Sequence, residues 1–406
     1  MRLFGDTDRL DRSAWLLLLI SGLFAISTAL SNTFVNVYFW KIKNDFGMIG
    51  QFHLANYLMM AVTFIFAGRL AKQVDRVIAI RIGVVLLAAF YLSVLLMGKD
   101  AVNHVLLLGS FLGIGSGFFW LSFNVLYFEI TEKYNRDIFN GFSGLFTSIA
   151  GIIAPLISGW VITHIDHFTG YRIIFSLSLL VFLAAVAVSF MLQRRSANGH
   201  YQLSEILKLC RKPGKGNHWF WVNLAMIAQG MREGLFAFLI SLLIYVATRD
   251  EFALGSYLTV SSLSGLIAYF IVGRYMRISW RDESILVGTM MLGIVALPLV
   301  WHIEAWTLVI LGVGSALFYP IYMVPLTSAV FDVIGESQET AELRVEYVVA
   351  RELALNIGRI FAVLVFLWWV TRMPTMIQLR WLIIPFSFVQ VITWVMIRKV
   401  PLLEQE

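Results

Sequence analysis

The chain has 406 residues, of which 59% are hydrophobic and only 14% charged, with a formal net charge of +6. Soluble domains carry about 25% charged residues, and no soluble core absorbs this much apolar sequence, so the composition excludes a soluble protein and indicates a polytopic membrane protein. The positive charge reflects orientation in the bilayer rather than nucleic-acid binding, and the single cysteine, Cys210, excludes an intrachain disulfide or a cysteine-rich metal site.

The first dozen residues alternate acid and base, and the apolar run after them is too long for a cleaved signal, so a retained tail is expected. Runs of about 20 apolar residues separated by short polar breaks predict twelve spans. They fall near residues 13–40, 50–71, 77–98, 104–129, 139–164, 171–193, 218–247, 253–273, 284–302, 306–330, 346–370 and 380–397. An even number puts both termini on one side. Lysine and arginine favour that side by roughly three to one, which places both termini in the cytoplasm and the spans in the plasma membrane.

Span one carries Ser27, Ser31, Asn32 and Asn36, the two asparagines one turn apart. They either orient a substrate or bond between helices. Span two carries His53 and Asn56; His53 lies near the outer end and is expected at the membrane interface. Span four contains LGIGSGFFW, Leu112–Trp120, then Asn124 on the next turn and Glu129, expected to be a loop charge. The break Arg194–Asn217 is the longest basic one. Within it, Tyr201–Cys210 reads as a short surface helix or a plain solvated linker.

Span seven holds Gln229, Arg232 and Glu233 at i, i+3 and i+4, on one helix face. Arg232 lies about 22 Å beyond the start of its span at 1.5 Å per residue, past the midplane. Span eleven holds Glu352, Asn356 and Arg359 along one stripe, with Arg351 turned away by about 100°. Five such charges facing lipid would cost on the order of 15 kcal/mol, so they face water or one another. They form either a polar cavity floor or a static lock between spans seven and eleven. The first half has no charge at that depth.

Two stretches recur about 200 residues later. LGIGSGFFW returns as LGVGSALFY, Leu311–Tyr319, which pairs Trp120 with Tyr319. GRLAKQVDRVIAIRIG, Gly68–Gly83, returns as GRYMRISWRDESILVG, Gly273–Gly288, which pairs Arg76 with Arg281. One half-unit is built twice, as in many secondary transporters.

Twelve spans, a basic central linker and glycine-basic loops after spans two and eight resemble the major facilitator superfamily. The resemblance implies an all-α membrane fold of two six-helix bundles related by a pseudo-two-fold axis: residues 1–193, a cytoplasmic linker 194–217, and residues 218–406. The family's loop signature implies a gate at Gly68, Asp75, Arg76, Gly273 and Arg281. Lys72 stands where the signature has aspartate, and Asp75 follows three residues later. Span five matches an antiporter pattern with small residues in place of several glycines: Gly141, Ala150, Ala154, Pro155, Ser158 and Gly159. NTFVNVYFW and RELALNIGR resemble a YqgE-type group of Gram-positive bacterial transporters.

The expected function is secondary active transport of a small or amphipathic solute, suited to an anion and coupled to protons, with an exporter or antiporter mode left open. The expected substrate contacts are Asn32, Asn36, Trp120, Asn124, Gln229, Arg232, Tyr319, Arg351, Asn356 and Arg359, with Glu233 and Glu352 as proton carriers. A lipid or glycolipid flippase on the same fold stays open. No Walker loop, nucleophile–base spacing or HExxH is present, so neither a built-in ATPase nor a membrane enzyme is expected. No cofactor, metal or nucleic acid is expected either, and the unit is expected to be a monomer in the lipid bilayer.

Overall fold

The structure is a computed structural model that describes residues 10–131, 136–165, 167–195, 199–211, 213, 217–334, 342–373 and 375–400. Among these, twelve helices are long and apolar enough to cross a membrane. Spans one to six are Arg12–Lys43, Phe46–Gln73, Arg76–Asn103, Val105–Ile130, Ile138–His164 and Phe168–Met191. Spans seven to twelve are His218–Thr248, Glu251–Tyr275, Arg281–Val300, Ala305–Ile334, Arg344–Arg372 and Met376–Ile397.

The two halves are built by the same local devices. Span one ends on Asn44 and span seven on Arg249, the two non-glycine residues with positive φ among those described. Each is followed by an aspartate that caps the next helix: Asp45 accepts from the Gly47 amide at 2.7 Å and Asp250 from the Phe252 amide at 2.8 Å. A left-handed stop followed by an N-cap reverses the chain within two residues and satisfies the exposed helix ends.

The repeated glycine stretch is a packing surface. Span two packs on span four, and span eight on span ten. A Cβ on Gly113 would lie 2.2 Å from the Asn56 carbonyl oxygen, and one on its counterpart Gly312 would lie 1.8 Å from the Tyr257 hydroxyl. Small residues are what allow such close approach between membrane helices.

The halves meet mainly along spans two and eleven and along spans five and eight. On the side away from the linker, spans five and eight are sealed. The Thr259 hydroxyl donates to the Ile152 carbonyl at 2.7 Å, and Glu251 pairs with Lys41 and accepts from Tyr171 at 3.2 Å. Towards the linker side the same two spans part, with open space around Gly141, Gly144 and Gly273. Spans two and eleven stay closed there. The linker contributes a short helix, Leu203–Leu209, whose Leu203 and Ile206 are buried in one cluster with Ala67, Ala71, Val345 and Val349. Of the two expectations for this segment, the helix is present, but it is pressed onto the protein.

Candidate functional site

Between the halves lies a cavity of about 480 Å³. The first half lines it with Phe24, Asn32, His53, Asn56, Trp120 and Phe182, and the second with Arg232, Glu233, Phe236, Tyr319 and Arg359. The repeat-related Trp120 and Tyr319 thus face the same space from the two halves. The charge asymmetry read from the sequence becomes an apolar, amide-bearing wall opposite a charged one.

The charged wall depends on the packing of spans seven and eleven. A Cβ on Gly230 would sit 2.0 Å from the Leu355 carbonyl oxygen, so the two backbones touch there. One turn further along, Arg359 Nη2 donates to Glu233 Oε2 at 2.8 Å. Glu233 Oε1 accepts from Gln229 Nε2 at 2.7 Å and from the Tyr319 hydroxyl at 3.1 Å. Three donors on one carboxylate suit an acceptor-only group. Asn356 Oδ1 accepts from Arg359 Nη1 at 3.3 Å, and Asn356 Nδ2 donates to the Glu352 carbonyl at 2.9 Å. Arg359 Nη1 is also 4.0 Å from Glu352 Oε2, and Arg351 Nη1 is 3.6 Å from Glu352 Oε1.

Arg232 differs from the other two arginines. It is only 5% exposed, yet no carboxylate lies within ion-pair distance of it among the described residues. Its Nη2 donates to the Ser315 hydroxyl at 3.0 Å, its guanidinium lies 4.4 Å from the Phe236 ring centre, and its Nε has no partner.

Not every expected contact reaches the cavity. Gln229, Asn356 and Glu352 stand behind the cavity wall and hold Glu233 and Arg359. Arg351 turns towards the linker side, 5.7 Å from the Phe331 ring, and Phe331 meets Phe128 of span four across the halves. Asn124 lines a second cavity of about 520 Å³ towards the linker side, with Phe123, Tyr127, Asn140, Tyr269 and Phe331. Asn36 lies behind Asn32; its Oδ1 accepts from His53 Nε2 at 3.0 Å. Ser27 and Ser31 bond to Ser178 of span six.

His53 departs from its expected interfacial place. It is buried on the cavity wall, stacked on Phe238 at 4.1 Å. The sequence signal for this was its position three residues before Asn56, on one helix face. Ser315, the partner of Arg232, lies within the repeated glycine stretch Leu311–Tyr319.

At the linker end, Asp75 caps span three, accepting from the Val77 amide at 2.7 Å. The contact with the start of span eleven is made by Lys72, whose Nζ lies 3.0 Å from Glu346 Oε2. Glu346 Oε1 accepts from the Gln202 amide at 3.1 Å, and the Gly199 amide donates to the Lys72 carbonyl at 3.1 Å, so the linker ties into the same contact. Gly68 faces Val349 and Tyr201 where a Cβ would meet both at 2.7 Å, whereas Gly273 faces open space. Arg76 Nε lies 2.7 Å from Glu129, and its repeat partner Arg281 lies 2.7 Å from Asp332. Glu129 also meets Arg344 of span eleven at 3.5 Å, so it joins the halves.

Comparison with known proteins follows the same lines. The family model of the Major Facilitator Superfamily matches residues 17–363. Uncharacterized protein YqgE of Bacillus subtilis is 43% identical over 366 residues, 90% of this chain and 84% of that protein. The cis,cis-muconate transport protein of Acinetobacter baylyi is 28% identical over 188 residues, 45% of this chain and 42% of that one. The E. coli fucose:proton symporter FucP superposes with a TM-score of 0.64 at 17% identity, covering 97% of this chain and 100% of that chain.

Proposed function

This chain belongs to the major facilitator superfamily, and we propose that as a secondary transporter it carries a small organic anion by alternating access, coupled to protons. The observation that carries this reading is the cavity between the halves, in which Arg232, Glu233 and Arg359 stand together on one wall. The partial similarity to a muconate transport protein, an organic-anion carrier by its name, supports the same sign of cargo.

The coupling follows from charge. Arg232 and Arg359 keep their charge through the cycle, whereas a glutamate exchanges a proton. A proton on Glu233 removes the carboxylate that holds Arg359 and frees that guanidinium for the cargo. Proton and anion then favour each other's binding, which is linkage in the sense of symport. The antiport expectation from span five requires the opposite linkage.

Glu233→Gln is expected to abolish proton-driven accumulation in liposomes while downhill exchange persists. Glu352→Gln, behind the cavity wall, is expected instead to lower the yield of folded protein, since breaking a buried pair costs about 3–5 kcal/mol. Intact proton-driven uptake in Glu233→Gln would overturn the coupling assignment.

A second reading has its own support. The cavity around Asn124 is aromatic and amide-lined, without charge, and lies where spans five and eight part. Such a space suits the apolar tail of an amphipathic or lipid cargo. Paired liposome assays with a labelled solute and a labelled lipid separate the two.

We place the linker side in the cytoplasm. In a Cys210→Ser background, Lys208→Cys is expected to label only after cells are permeabilised, and Lys99→Cys to label in intact cells. Labelling of the Lys208 position from outside would invert the topology.

A further inference from the structure

The geometry points to a cargo that is a monoanion with a hydrogen-bond donor, such as a hydroxyl, at its far end: Arg232 takes the anion, and His53 Nδ1 with Asn56 Oδ1 accept from the donor. This inference rests on the transport reading and sharpens it.

Arg359 is matched by Glu233 at 2.8 Å, and Arg351 by Glu352 at 3.6 Å. Arg232 alone is left with a hydroxyl, a ring face and an empty Nε. A buried cation without a counter-charge is expensive, and a bound anion on the cavity side completes it. While Glu233 is ionised and holds Arg359, one unmatched guanidinium calls for one negative charge, and a second would stand beside Glu233 with no free cation to meet it.

The opposite wall carries two orphaned acceptors. Asn36 Nδ2 donates to the Asn32 carbonyl at 3.4 Å, which turns its Oδ1 to His53 Nε2 at 3.0 Å. Nε2 therefore holds the ring hydrogen, and Nδ1 is a bare lone pair. Nδ1 is buried without a partner, and so is Asn56 Oδ1 one turn away. Buried acceptors are rarely left unmatched, and two on one cavity wall mark a place for a donor. Phe24, Trp120 and Phe182 line the space between as an apolar surface. The cavity, at about 480 Å³, is within the range of small-molecule sites, about 300–1,000 Å³.

The test uses four aromatic probes of similar size on the purified full-length protein: hydrocinnamate, its para-hydroxy derivative, the methyl ester of that derivative, and the para-carboxy dianion. Thermal stabilisation at rising concentration gives each affinity. The para-hydroxy acid is expected to bind best, hydrocinnamate roughly tenfold more weakly, and the ester and dianion roughly a hundredfold more weakly or not at all. Asn56→Leu is expected to bring the hydroxy acid down to the level of hydrocinnamate. Arg232→Met is expected to abolish binding of both acids while the empty protein keeps or gains thermal stability, because the variant removes an unmatched buried charge. A purely structural Arg232 predicts the reverse, a less stable empty protein with unchanged probe preferences. Equal binding of ester and acid, a preference for the dianion, or no binding of any probe would each overturn the inference. If the expected binding pattern holds but the bound acid is not moved into liposomes, the transport reading falls and the site assignment stands.

Discussion

Gly230→Leu is expected to push spans seven and eleven apart and to eliminate transport, with a loss of stability above about 3 kcal/mol. Overpacking a core costs about 1–3 kcal/mol when side chains can yield. Here the obstacle is backbone: a Cβ on Gly230 would lie 2.0 Å from the Leu355 carbonyl oxygen, and one on Gly358 would lie 2.1 Å from the Ile227 carbonyl oxygen. Neither helix can move aside without carrying Glu233 away from Arg359. Gly141→Leu is the control, since nothing lies within 4 Å of its Cβ position. That variant is expected to stay within about 0.5 kcal/mol of the parent. Thermal unfolding followed by fluorescence-detected gel filtration reads both. Equal stability of the two glycine variants would mean that the close crossing of spans seven and eleven does not hold the site.

Glu346→Ala is expected to lower stability by about 3–5 kcal/mol, the usual cost of removing one member of a buried ion pair. Its carboxylate is fully buried, receives Lys72 and the Gln202 amide, and sits in the first turn of span eleven, where the positive helix end favours an anion. The pair reverses the polarity that the family signature implies, because the loop supplies the lysine and the helix supplies the acid. Lys72→Glu combined with Glu346→Lys is expected to recover only part of the loss. The ion pair returns, but a lysine cannot accept from the Gln202 amide, and it opposes the helix end. Full recovery in the double variant would show that the linker contributes nothing to this contact.

Much of the fold was legible because membrane physics writes it in long runs. The twelve spans follow from apolar length, and the doubling follows from two repeated stretches, one of which places the equivalent glycines Gly113 and Gly312 at helix contacts. In the site, the depth of Arg232, Glu233 and Arg359 was legible because charges in a bilayer are rare. What was not legible is which charges are matched. The pairing of Glu233 with Arg359, and the solitude of Arg232, depend on how span seven is rotated against span eleven, and helical spacing alone leaves that open. His53 was misplaced for a related reason. Distance along a span indicates depth, but not that the ring turns inward onto Phe238. The role of Lys72 was hidden because its partner Glu346 is distant in sequence, while Asp75, close by, serves its own helix as a cap.

The unmatched charge of Arg232 has an electrical consequence. With the other charges paired, the empty site carries one net positive charge. A bound monoanion cancels it, and the coupled proton on Glu233 restores it, so the loaded site bears the same charge as the empty one. An elementary charge is worth about 2.3 kcal/mol per 100 mV of membrane potential, and that term is equal in the loading and the resetting halves of the cycle. One proton moved with one monoanion is therefore electrically silent: the pH gradient drives accumulation, and the potential biases the resting orientation of the site without adding to the driving force.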